Sequence, residues 1–193
     1  RTLLRPCLHD EPYARIELFD PLLTGTAAAW LQTRPELDLY REVSSPPAQT
    51  RIVGEGVPIP ERHDPERFRA AHGLEGRPFV LYGGRREGAK GWEALLHGFA
   101  DTVRREDVDL LLVTYGTGPV EPPPDVAHRV VDLGLVDDGT RDDAMAAAAA
   151  YVQPSALESF SRTVMEAWLA GTPVIANGAS AVVRWHVERS GAG

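Results

Sequence analysis

Residues 151–176 read YVQPSALESFSRTVMEAWLAGTPVIA, and this stretch decides the fold. Residues 151–153 are a short apolar run of the buried-strand kind, 162–170 follow a helical pattern, and 173–176 are again an apolar run. A strand, a helix and a strand in this order join parallel strands, because the connection is too long for a hairpin. The rhythm extends outward. Residues 79–83 and 110–114 read as buried strands with a helix over 92–105 between them. Residues 128–133 read as a strand, 141–149 as a helix and 181–189 as a closing helix. Nearer the start, residues 3–8, 27–32 and 50–53 read as strands, with helices over 12–23 and 35–43. The fold class is therefore α/β, with doubly wound, parallel sheets covered by helices.

The rhythm breaks over residues 54–78, where Pro58, Pro60, Pro65 and Pro78 stand among charges and the best helix, 65–72, is short. Residues 58–78 read as a linker, with a hinge at 56–60. Residues 1–57 read as the closing part of one Rossmann-like domain and 79–193 as a second. The first strand starts at residue 2 with nothing before it to pair with, and the chain stops after a helix. Both ends therefore read as cut, and the chain alone is expected to bind its ligand without completing a reaction.

Composition excludes several classes. Of 193 residues, 43% are hydrophobic and 25% charged, the balance of an ordinary globular protein. No apolar run approaches the roughly 18 residues that span a bilayer, and no secretory leader is legible. Cys7 is the only cysteine, which points to a reducing, cytoplasmic setting. A net charge of −8 argues against nucleic acid, whose binding needs a basic face.

An acidic chain that holds phosphate must place its cations with care. The turn after residues 79–83 reads Gly83-Gly84-Arg85-Arg86-Glu87-Gly88-Ala89-Lys90-Gly91, where glycines admit a ligand and cations meet phosphate. Lys90 is the only lysine among 20 basic residues. In the opening stretch, Ser161 reads as an N-cap. It would leave the amides of Arg162, Thr163 and Val164 to meet an anion at the helix's positive end. Glu158 lies just before that end, and Glu166 about 7 Å along the axis. Either glutamate alone reads equally as a cap or a solvated charge. Together, one on the sugar side and one on the ribose side of a diphosphate, they suit vicinal hydroxyls.

These residues carry a resemblance to the family-4 (group 1) retaining glycosyltransferases of GT-B fold. The family's E-x-F-G-x-x-x-x-E-A element followed by G-x-P-V-[IV]-A is matched at Glu158, Phe160, Glu166-Ala167 and Gly171 to Ala176. Its G-R…K-G turn is matched at Gly84-Arg85 and Lys90-Gly91, its G-x-G-P at Gly116 to Pro119, its L-G-x-V at Leu133 to Val136, and its P-S at Pro154-Ser155. Ser159 and Ser161 depart from the pattern where glycine is common. Less specifically, residues 6–10, Gln32-Thr33, Glu36 and 54–58 resemble the end of the family's acceptor-side domain.

The resemblance implies Arg85 and Lys90 on the donor diphosphate, with Gly84 beside them, Glu158 on the sugar, and Glu166 on the ribose. It also implies Leu135 and Val136 framing the base, and His9 near the reaction centre. A hexosyl group would pass with retention from a UDP- or GDP-linked donor to a glycan or lipid-linked acceptor, in surface or storage glycan assembly. No cofactor and no metal is implied, since Asp137-Asp138 and Asp142-Asp143 read as solvated loop and helix-start charges. Membrane contact, at the inner face, would come only through the missing part of the first domain. Two other readings stay open: a sugar-nucleotide-binding domain without activity, and a sugar-nucleotide epimerase of similar shape.

Overall fold

The computed structural model describes residues 2–192; Arg1 and Gly193, the outermost positions of the two expected domains, lie outside the described residues. Two separate parallel sheets are present. The first has three strands, β1 (Leu3–Leu4), β2 (Ala28–Leu31) and β3 (Gln49–Ile52), in that spatial order. The second contains β4 (Phe79–Gly83), β5 (Leu111–Tyr115), β6 (Val130–Asp132), β7 (Ala150–Gln153) and β8 (Val174–Ala176), in the order β6-β5-β4-β7-β8.

Helices cover both faces of the second sheet. α4 (Trp92–Glu106) turns Trp92, Leu96, Phe99, Ala100 and Val103 inward at helical spacing, onto Tyr82 and Leu112. On the other face, α5 (Asp138–Ala147), α6 (Arg162–Leu169) and α7 (Ala181–Ser190) bury Met145, Val164 and Val183 against Leu81, Val113 and Tyr151. The same cluster takes in Phe68 of α3 (Pro65–His72) and Leu74. Part of the interval read as a linker is thus packed onto the second sheet. α3 itself has the expected bounds. The Asp64 carboxylate caps it by accepting from Arg67 N at 2.9 Å, Pro65 begins it, and Gly73 (φ 63°) ends it.

In the first sheet, Leu23, Ala29, Leu31 and Tyr40 form a smaller core, with Tyr40 supplied by α2 (Arg34–Val43). The long helix read over residues 12–23 is absent. Two 3-10 turns, Pro12–Arg15 and Glu17–Phe19, lead into a short α1 (Asp20–Thr24). Ile16 is extended (φ −85°, ψ 124°) between the turns, and Pro21 has no amide to continue a helical ladder. The strand read over 3–8 ends at Leu4, because Pro6 cannot donate and Cys7 is left-handed (φ 52°).

Asp143, read as a solvated charge, is 4% exposed. Its carboxylate accepts from Asp64 N at 2.7 Å and from the Arg67 guanidinium, tying α3 to α5. Asp137 does fit its reading: it accepts from Thr140 N at 2.7 Å and starts α5 three residues earlier than the apolar pattern shows. Replacing Asp143 by alanine leaves the Asp64 amide without its partner. A loss of about 1–3 kcal/mol in urea unfolding is expected, and a change below about 0.5 kcal/mol would show that this tie is dispensable.

Candidate functional site

In an open parallel sheet, ligands bind beyond the carboxyl ends of the strands, where the strand order reverses. Here the chain runs outward from β4 through β5 to β6, then returns to β7 on β4's other side. The turns after β4 and β7 therefore face one another across a crevice. They touch at its rim: a Cβ on Gly91 (φ +75°) would lie 2.5 Å from Pro154 O. Lys90 Nζ lies 2.9 Å from Glu158 Oε1.

The turn after β4 is fixed from several sides. Tyr82 Oη donates to Arg85 O at 2.6 Å, and Tyr151 Oη donates to Gly83 O at 3.1 Å. Burial pushes the Tyr82 phenol up to about 12 and raises that of Tyr151 too, so both remain donors. The buried Arg86 donates to Thr114 Oγ1 at 3.2 Å, Gly116 O at 3.3 Å and Gly118 O at 2.9 Å, and pairs with Asp132. Gly116 (φ +126°) allows this close packing, since a Cβ there would lie 2.0 Å from Gly84 O. Arg86 is thereby committed to the scaffold. Arg85 points outward, 3.2 Å from Glu87, and faces the crevice.

Across the crevice, Ser161 stands at the start of α6, as expected, but its hydroxyl does not cap the helix. Its backbone is left-handed (φ 66°, ψ 72°), and Ser161 Oγ instead accepts from Gln153 Nε2 at 2.7 Å. Val164 N bonds Ser161 O at 3.2 Å, so it is not free. The amides of Arg162 and Thr163 bond no acceptor among the described residues, and they keep the anion-binding character of the helix start.

Between the two turns lies a cavity of about 500 Å3. It gathers Gly84, Arg85, Lys90, Glu158, Ser161, Arg162, Thr163 and Glu166. Its cations are Arg85, Lys90, Arg141 and Arg162, and its carboxylates are Glu55, Glu158 and Glu166, a balance of four against three. In a chain of net charge −8 this is a local reversal of sign, suited to an anionic ligand. Arg141, Glu55 and Gln153 were not singled out by sequence. Arg141 reads as an ordinary helix charge, and Glu55 reaches the cavity only because residues 53–64 pass from one sheet to the other.

Leu135 and Val136 are not walls of this cavity. Leu135 is 78% exposed on the loop after β6, and Val136 packs against the core. His9 lies elsewhere too, with Glu36, Arg184 and Trp185 in a second cavity of about 500 Å3 between the two sheet units. Its Nδ1 is 3.2 Å from Glu11 Oε1. Glu158 lines both cavities. Among the described residues no three His, Cys, Asp or Glu side chains group as metal ligands, and no helix is long and apolar enough to cross a membrane.

With this geometry in view, residues 77–191 match the family described as glycosyl transferases group 1. The phosphatidyl-myo-inositol mannosyltransferase of Mycolicibacterium smegmatis is 37% identical over 135 residues, covering 65% of this chain and 35% of that protein. The D-inositol 3-phosphate glycosyltransferase of Frankia alni is 30% identical over 188 residues, covering 86% and 46%. The structure is similar to sucrose-phosphate synthase from Thermosynechococcus elongatus, with TM-score 0.72 and 25% identity over 88% of this chain and 45% of that one. The chain spans about a third to about half the length of the relatives it matches.

The left-handed backbone at Ser161 predicts an order of variants. Ser161→Ala keeps the strained conformation and removes the acceptor for Gln153, so it should lower unfolding stability by about 1–2 kcal/mol. Ser161→Gly also loses the acceptor but relieves the backbone, and should stay within about 1 kcal/mol of the parent. Glycine proving the worse of the two in a thermal melt would contradict this account.

Proposed function

Because this chain belongs to the group 1 glycosyltransferases, we propose that the cavity between β4 and β7 holds a nucleotide-diphosphate sugar. Its hexosyl group would pass, with retention, to a glycan or lipid-linked acceptor. The observation that carries the reading is the place of Glu158. It stands at the helix start on one side and walls the second cavity on the other. A sugar held there has its anomeric carbon at the junction of the two.

Each group has a chemical task in this reading. The diphosphate lies across the start of α6, against the Arg162 and Thr163 amides and the cations at 85 and 90. When the C1–O bond to the diphosphate breaks, negative charge grows on the departing oxygen, where these donors would stabilise it. The acceptor hydroxyl joins C1 on the face the diphosphate leaves, and its proton passes to the departing phosphate oxygen. Lys90 already holds Glu158 at 2.9 Å, yet an ammonium has three donors. It can keep the carboxylate on the sugar hydroxyls while meeting a phosphate oxygen. Glu166 accepts from the ribose, and His9 faces the acceptor side, steadied by Glu11. Lipid-linked or polyol acceptors are favoured by the inositol acceptors in the relatives' names, and a lipid-linked one would bring the whole protein to the inner membrane face.

Titration calorimetry with UDP, GDP and their sugar conjugates tests the reading. Glu166→Gln should weaken nucleotide and nucleotide sugar alike by about 1–3 kcal/mol. Glu158→Gln should weaken only the nucleotide sugar, and Lys90→Ala should weaken diphosphates while leaving nucleosides unchanged. Failure of the parent chain to bind any nucleoside diphosphate, or equal losses of both ligands in both glutamate variants, would sink the assignment.

A further inference from the structure

Glu55 is the third carboxylate of the donor cavity, beside Glu158 and Glu166, and every other wall of that cavity comes from residues 82–166. Glu55 alone arrives from the first sheet. The carboxyl ends of that sheet's strands converge on it: Arg5 stands just after β1, Gln32 just after β2, and Glu55 itself shortly after β3. Gln32 Nε2 donates to Glu55 Oε2, and Arg5 pairs with the same oxygen at 3.0 Å. Gln32 is buried, at 4% exposed, so the carboxylate is held in place from within the fold.

Its other oxygen is unspent. Glu55 Oε1 has no hydrogen-bond partner among the described residues, and the side chain is 23% exposed. An ionised carboxylate accepts and donates nothing, so whatever it meets in the cavity must bring the hydrogens. A diphosphate brings only negative oxygens, which a carboxylate repels. The hydroxyls of the nucleotide sugar remain. Glu166 takes those of the ribose. The first sheet's unit also walls the second cavity, which meets the donor cavity at Glu158. A group arriving from that unit therefore comes in on the sugar's side.

We propose that Glu55 selects the donor sugar: its carboxylate accepts from hydroxyls of a neutral hexosyl group and disfavours a hexuronosyl group, which carries a carboxylate of its own. This rests on the nucleotide-sugar reading of the cavity. With the uronic sugar, an acceptor replaces a hydroxyl that could donate, and two like charges face one another in a cavity partly closed to water. Arg5 offsets part of the charge on Glu55. It is not a wall of the cavity, so it does not stand where it could receive the sugar's carboxylate.

Two pairs of donors that differ only at C6 test this: UDP-glucose against UDP-glucuronic acid, and GDP-mannose against GDP-mannuronic acid. Calorimetry would measure each of them, and UDP and GDP alone, on the parent chain and on Glu55→Gln. For the base that binds, the parent should prefer the neutral sugar. The variant should bind that neutral donor about 3- to 10-fold more weakly, the scale of one hydrogen bond. It should bind the uronic donor no more weakly than the parent does, so the preference narrows, and the bare nucleotide should be unaffected. A merely loosened loop would weaken all ligands together. Arg5→Ala is the second variant: it removes an exposed counter-charge, leaves Glu55 on Gln32, and should widen the preference. An unchanged preference in Glu55→Gln, an equal loss of the bare nucleotide, or a preference that fails to widen in Arg5→Ala would overturn the selection and leave the cavity's assignment standing. A parent chain that binds no nucleoside diphosphate would remove the nucleotide reading itself, and this selection with it.

Discussion

The buried guanidinium of Arg86 gathers the ends of three strands. From the turn after β4 it reaches the Thr114 hydroxyl on β5, the Gly116 and Gly118 carbonyls beyond it, and the Asp132 carboxylate at the end of β6, with its face 5.9 Å from the Trp92 ring. Parallel strands alone leave their carboxyl-end loops free to splay. Here the loops after β4 and β5 are bound so closely that Gly84 O meets the Cα of a glycine, a contact no other residue at 116 allows. That knot, with the Tyr82 and Tyr151 hydroxyls on the same turn, holds the segment from which Arg85 aims outward and Lys90 stands across from Glu158. A buried charge of this kind is tolerable because its donors are matched to carbonyls, a hydroxyl and a carboxylate.

A division of labour between neighbours follows. Arg85 and Arg86 are adjacent and chemically identical, yet one is held inside and the other faces the crevice. Ser161 is a comparable case: its backbone does what glycine does at a tight entry to a helix, while its hydroxyl is turned back to Gln153. Because the hydroxyl is engaged there, it does not crowd the Arg162 and Thr163 amides, which remain the polar groups presented at the start of α6.

Most of the second sheet was legible in the sequence because it follows simple periodicities. Each buried strand is a short apolar run, each helix shows a 3.6-residue stripe, and Asp64, Pro65 and Gly73 punctuate α3 by local rules. The cluster of Gly84, Arg85, Lys90, Glu158 and Glu166 was legible because glycines, cations and a helix start recur where strands end. What escaped depends on tertiary partners. Nothing local distinguishes a buried Asp143 from a solvated Asp138, or the scaffold Arg86 from Arg85. Arg141 looks like any helix charge, and Leu135 occupies a motif position yet is exposed and does not line the cavity. The helix expected over 12–23 failed for a local reason: Pro21 and the extended Ile16 outweighed its apolar spacing.

Glu158 is a shared boundary between the two cavities, one on each side of a single carboxylate held by a single ammonium. Whatever an occupant of one cavity does to that pair, drawing the ammonium away or reorienting the carboxylate, changes the wall the other occupant meets. Such a boundary would make binding in the two cavities thermodynamically linked. The free energy by which one ligand would help or hinder the other is the same in both directions, so this coupling would favour neither order of binding.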